Sequence, residues 1–232
     1  MSTWKLPLAV VVEIIYMVLS RVVLPDFATG IERELIKTVL RIASALVYWF
    51  LFRELIVGHQ YRSGSVNHPA VLSALALVLL VPVVVADHPL PDLTTKTVFA
   101  ATSIFVAIRE EFFYRGIIQN VIGQRFGLVA AIVASNVLFA VYHYGAQPLS
   151  LARLVDLFAL GSICGLIYFK TGSIWVVVGL HAAIDVIWAF TPIVDRPLPY
   201  VFASVIDSAA LILCVAWVWL PRLQARPAKG PN

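Results

Sequence analysis

Apolar residues fall into eight long runs along the chain, each divided from the next by a short polar segment. The runs cover residues 6–24, 36–57, 70–86, 97–120 with an extension to 124, 128–144, 149–169, 173–191 and 199–220. A membrane-crossing helix needs roughly 20 mostly apolar residues. The pattern therefore predicts an all-α fold, a polytopic transmembrane helix bundle of about eight spans forming a single integral membrane domain over residues 1–232. The segment DHPLPDLTTK reads as a loop from its Pro and Asp content. Residues 59–68 read as another loop, and a Pro-rich basic tail follows the last run. The first run has a basic start at Lys5 but no small-residue cleavage site, so a retained anchor is expected rather than a removed leader. No soluble domain, repeat or low-complexity segment stands out.

Composition reinforces this reading. Hydrophobic residues make up 61% of the chain and charged ones only 13%, too few to build a water-facing surface. The excess must face the lipid bilayer. The net charge of +4 comes from basic residues scattered over loops and helix ends, with no cluster of the kind that holds nucleic acid. Counted by side, their bias is modest and predicts a protein of the cell membrane with both termini in the cytoplasm. Cys164 and Cys214 lie inside apolar runs and read as packing residues, not as a disulfide or a thiolate metal site.

Ionisable residues at membrane depth are costly, by about 2.5–3.5 kcal/mol each on insertion scales, and usually serve a function. The fourth run holds REEFFYRG. Glu111 and Arg115 are four apart on one face, acid first, which is the favourable order for an ion pair. Glu110 points about 100° away and is left without a partner on its own face, although Arg109 is its neighbour in sequence. The fifth run places Phe139 and His143 on one face. Glu110 lies 17 residues before Gly127 and His143 lies 16 after it, so an antiparallel hairpin turning there brings them to the same level. The seventh run holds His181 and Asp185, again four apart, and His181 is the nearest partner for an otherwise isolated Asp. Glu13 and Arg41 sit in the first two runs and are available to pair structurally. Asp87, His88 and Asp92 resemble a metal cluster only by composition and read as loop residues. No role is assigned to Asp156 or Asp207.

Taken together, Glu110-Glu111-x-x-x-Arg115, Phe139-x-x-x-His143 and His181-x-x-x-Asp185 resemble the three motifs of the CAAX prenyl endopeptidase and bacteriocin-processing family of intramembrane proteases. The resemblance covers residues 97–191. It implies hydrolysis of a peptide bond near the C-terminus of a membrane-associated protein or peptide. It casts Glu110 and His143 as activators of a water, and His181 with Asp185 as stabilisers of the oxyanion. Glu111, Arg115 and Phe139 are then structural support of the site. Asp185 stands where prenyl-processing members often have Asn. An ionised Asp cannot donate to an oxyanion, so it is either protonated or it orients His181.

No Ser or Cys stands beside a base as a nucleophile. The expected reaction is direct attack by a water on a carbonyl entering from the bilayer or its cytoplasmic edge, with no metal and no other cofactor. A zinc-dependent version of the same protease is the alternative, since two Glu and two His could be ligands, but the His-Glu-x-x-His signature is absent. A proton-linked transporter would also use buried carboxylates and imidazoles; no inverted repeat supports it. Three substrate classes stay open: a prenylated C-terminal tail, a bacteriocin or peptide precursor, and a C-terminal sorting tail.

Overall fold

The structure, a computed structural model, describes residues 5–26, 29–57, 68–85, 90–143 and 150–224. Its elements are helices throughout: α1 Lys5–Val18, α2 Gly30–Ile56, α3 Pro69–Val84, α4 Leu93–Glu111, α5 Asn120–His143, α6 Leu151–Thr171, α7 Ile174–Ala189 and α8 Val201–Gln224. Two π-helical stretches interrupt the regular pitch. Leu19–Val23 extends α1, and Phe112–Gln119 joins α4 to α5.

Local chemistry sets the ends. Asp92 caps α4, its carboxylate accepting from the Thr95 N–H at 2.8 Å. The Thr95 N–H and hydroxyl hold the Asp92 carboxyl below its ordinary range. Asp92 is thus a capping residue; Asp87 and His88 lie outside the described residues. Ser150 caps α6 through the Arg153 N–H, and Gly172 closes that helix at φ 68°. Gly127, at φ 83° and ψ 173°, breaks α5 where the hairpin turn was expected. Only glycine adopts that backbone without strain.

Among the described residues, five helical stretches are long and apolar enough to cross a membrane: 6–23, 30–56, 93–143, 151–171 and 201–219. The third contains the Gly127 break and so holds two legs. α3 and α7 are apolar but have only 16 residues each. The chain is a multi-pass membrane protein, and its outer surface carries side chains such as Val39, Phe50 and Ile212 that water would not tolerate in such number. Inside, α4 packs on α2 and α7, α5 on α6, and α8 on α3 and α6.

One expected pairing is not made. Glu13 does not meet Arg41. In the antiparallel α1–α2 pair, Tyr48 lies opposite Glu13 and donates to it at 2.7 Å, while Arg41 lies opposite Tyr16. Arg41 instead bonds Glu34, seven residues earlier on its own helix, and Glu13 takes Arg109. Heptad spacing keeps Glu34, Arg41 and Tyr48 on one face, so each finds a partner one step along the stripe.

A candidate active site among α4, α5 and α7

Gly127 folds the chain back so that the residues around 110 and 143 stand side by side. The Arg109 guanidinium donates to the Tyr142 hydroxyl at 3.2 Å, which fixes the level of the two legs. Glu110 therefore lies within electrostatic reach of His143, as the residue count to the turn predicts.

The Glu111–Arg115 pair forms at 3.1 Å, and both side chains are at most 1% exposed. Arg115 is fixed further by the Gly161 carbonyl at 3.0 Å and by Asn136. The same Glu111 Oε1 reaches His181 Nδ1 at 2.7 Å. A carboxylate oxygen accepts, so Nδ1 carries a hydrogen and Nε2 is turned toward the remaining acids. Asp185 Oδ2 lies 3.5 Å from Nε2 and Glu110 Oε2 lies 3.9 Å from it. His181 thus sits among three carboxyl groups drawn from two helices. Glu111 was expected to serve Arg115 alone; its bond to an imidazole 70 residues away connects the two motifs.

Glu110 is 3% exposed, and its Oε2 has no hydrogen-bond partner among the described residues. Its neighbour Arg109 approaches Oε1 only to 3.9 Å, because that guanidinium is committed elsewhere. Arg109 bonds Glu13 and stacks 3.5 Å above the Tyr16 ring.

His143 makes its hydrogen bond to the Phe139 carbonyl at 2.8 Å through Nδ1. A carbonyl can only accept, so Nδ1 carries the hydrogen and Nε2 keeps its lone pair. The Phe139 ring supports three neighbours: His143 at 4.5 Å and His181 at 6.3 Å between centroids, and the Arg115 guanidinium at 4.9 Å. His143, His181 and Asp185 line one cavity of about 60 Å³, closed below by Leu157, Leu160 and Ile184. That volume is several times what one water needs, and polar groups line it. Glu110, 3.9 Å from His181, is not among the lining residues.

Several residues of this neighbourhood carried no clear signal in the sequence. Glu13, Tyr48, Tyr16 and Tyr142 surround Arg109 from three other elements, and nothing local marks them as its partners. Asp156 and Asp207 face the same cavity as His143, with Asp156 bonded to Arg153 and Tyr200. Gly161 and Gly165 form a Gly-x-x-x-Gly pattern, and that signal was readable: it marks where α6 approaches its neighbours closely.

Among the described residues no three of His, Cys, Asp and Glu are grouped to hold a metal. The Glu111 oxygen nearest His181 is already shared between that imidazole and Arg115.

Residues 93–187 match the family model described as type II CAAX prenyl endopeptidase Rce1-like. No curated protein and no solved structure matches. The matched stretch opens at the capped start of α4, ends within α7, and contains Glu110, Glu111, Arg115, Phe139, His143, His181 and Asp185. Through this segment, carrying the three motifs in order, the chain is similar to the CAAX prenyl endopeptidase family of membrane proteases.

Proposed function

We propose that the protein is an intramembrane endopeptidase that hydrolyses a peptide bond near the C-terminus of a membrane-associated protein or peptide. The observation that carries this reading is the buried Oε2 of Glu110. It has no hydrogen-bond partner among the described residues and lies 3.9 Å from His181, beside a polar cavity bounded by His143 and Asp185.

In the proposed reaction a water sits in that cavity, hydrogen-bonded to His143 Nε2. Glu110 accepts its proton, passed on by His143, as the oxygen attacks the scissile carbonyl. His181 Nε2–H donates to the oxyanion. For that, His181 carries both ring protons, and Glu111 and Asp185 supply the opposing charge. This favours the reading in which Asp185 orients and balances His181 over the one in which it donates. The proton held by Glu110 then passes to the departing amine nitrogen as the C–N bond breaks. The new carboxylate and amine account for every atom of the water, and no covalent intermediate forms. No step runs through a metal. The working location is the cell membrane, with both termini in the cytoplasm.

The test is cleavage by purified protein in lipid, followed by mass spectrometry of the new C-terminus. Glu110→Ala, His143→Ala and His181→Ala are each expected to slow cleavage by about 10²–10⁴, the usual contribution of acid–base and oxyanion groups. All three are expected to remain inserted and folded. Cleavage at the parent rate by Glu110→Ala sinks the assignment of the base. Activity lost to a strong chelator and restored by zinc sinks the metal-free route.

A further inference from the structure

The cavity of His143 and His181 carries a second set of polar groups that the proposed reaction leaves unused. Asp156 of α6 and Asp207 of α8 both line it. They are deeply buried, at 4% and 2% exposed. Asp156 is pinned, its Oδ2 accepting from Arg153 at 3.2 Å and from the Tyr200 hydroxyl. Asp207 has no such anchor: no N–H or hydroxyl among the described residues donates to its buried Oδ1. The Asp207 carboxyl is instead in hydrogen-bond contact with that of Asp156. An ionised carboxyl only accepts, so two of them bond only through a proton held between them. The pair thus carries one shared proton and one negative charge, and Arg153 balances that charge. A buried carboxyl oxygen without a donor is costly. A donor arriving in the cavity would satisfy it.

Peptide hydrolysis delivers such a donor. When the C–N bond breaks, the nitrogen has taken the proton from Glu110 and is a neutral amine. Its lone pair still faces the new carboxyl, in a space of about 60 Å³ that holds few waters. So little water favours re-forming the bond. An α-amine in water holds a further proton below about pH 8. At low dielectric it becomes an ammonium only beside an opposing charge. The peptide behind that amine has room as well. A neighbouring cavity of about 350 Å³ shares Arg153, Asp185 and Trp188 with the small one.

The geometry points to Asp156 and Asp207 as the site that receives the departing amine. The inference rests on the endopeptidase reading and adds two catalytic groups to its last step. The shared O–H bond breaks as an N–H bond forms. The nitrogen becomes an ammonium, and the pair becomes two carboxylates held between that ammonium and the Arg153 guanidinium. An ammonium has no lone pair and cannot attack the new carboxyl. When that carboxyl ionises, its proton refills the pair. The cycle ends with one carboxylate and one ammonium, and only a water is consumed. Asp185 borders the same space but faces His181 Nε2 at 3.5 Å. Asp207 is the carboxyl with an oxygen to spare.

A fluorophore-tagged trileucine amide serves as probe, made once with a free α-amine and once N-acetylated. Binding is measured on the full chain in phosphatidylcholine nanodiscs, in choline chloride. The free amine is expected to bind the parent about tenfold or more tightly than the acetylated form, the scale of one charge-assisted pair. Asp207→Asn keeps the shape but cannot ionise, and is expected to bring that ratio close to one by weakening the free amine alone. Equal binding of the two forms to the parent overturns the proposal, as does no binding of either. So does an amine preference that survives in folded Asp207→Asn. If sodium chloride in place of choline chloride erases the preference, the site belongs to a metal cation and the proposal falls. Cleavage is read on the peptide whose cut bond mass spectrometry has located, remade with an ester at that bond. An alcohol leaves without a second proton, so Asp207→Asn is expected to lower the amide-to-ester rate ratio about tenfold or more. Equal slowing of amide and ester marks a structural role and overturns the proposal. Amine-selective binding without cleavage leaves the site standing and defeats the hydrolase reading; cleavage without selectivity does the reverse.

Discussion

Arg109 and Glu110 are adjacent and of opposite charge, yet they do not pair closely. Glu13 holds the guanidinium from α1, and Tyr16 covers its face. In the proposed reaction Glu13 is then a positioning residue: by holding Arg109, it would leave the Glu110 carboxylate free to take a proton. Glu13→Gln is expected to let Arg109 swing toward Glu110, already 3.9 Å away. Pairing would make Glu110 a weaker base, and kcat should fall by about tenfold or more, with little change in KM. Glu13→Asp should recover part of the loss. Unchanged kcat in Glu13→Gln, in protein that stays folded, removes Glu13 from the mechanism. The sequence contains Glu13 and Arg109 in plain view, but 96 positions separate them. Which helices stand side by side is decided by packing of whole faces, and one sequence does not state it. The i,i+4 pairs were legible because a helix fixes their spacing wherever it lies in the fold.

At the scale of elements, the hairpin around Gly127 and the close approach of α6 build the site. The hairpin was legible because equal counts on either side of a turn set equal depth. The π-helical stretch Phe112–Gln119 was not; FFYRGIIQ contains no residue that demands a wider turn. Such stretches recur at functional sites, and here one begins directly after Glu111. α6 touches this stretch through glycine. A Cβ on Gly161 would stand 2.4 Å from Asn136 Oδ1 and 3.0 Å from Arg115 Nη2. Gly161→Ala is thus expected to displace Arg115, loosen Glu111 and leave His181 poorly held. Overpacking of this kind costs about 1–3 kcal/mol of stability. Its cost to cleavage should exceed that of Gly179→Ala, where nothing lies within 4 Å of the added methyl. Comparable activity and melting temperature in the two variants contradicts the tight fit. The expected Glu13–Arg41 pair failed at this same scale. Glu34 lies outside the apolar run that begins at residue 36, so the pattern of runs hides the nearer partner of Arg41.

For the whole molecule, the eight apolar runs mark the helices, but five helical stretches among the described residues meet the length and hydropathy needed to cross a bilayer. Reporters fused to the two termini are expected on the cytoplasmic face; reporters on opposite faces mean an odd number of crossings. The two short helices add one more consequence. α3 and α7 pack together, and each spans only about 24 Å at the rise of an α-helix. The hydrocarbon layer is about 30 Å thick. Where this pair meets lipid, the bilayer is expected to thin beside it, next to His181. A peptide drawn to that spot has less oil to cross, and longer acyl chains would restore the barrier and slow the enzyme.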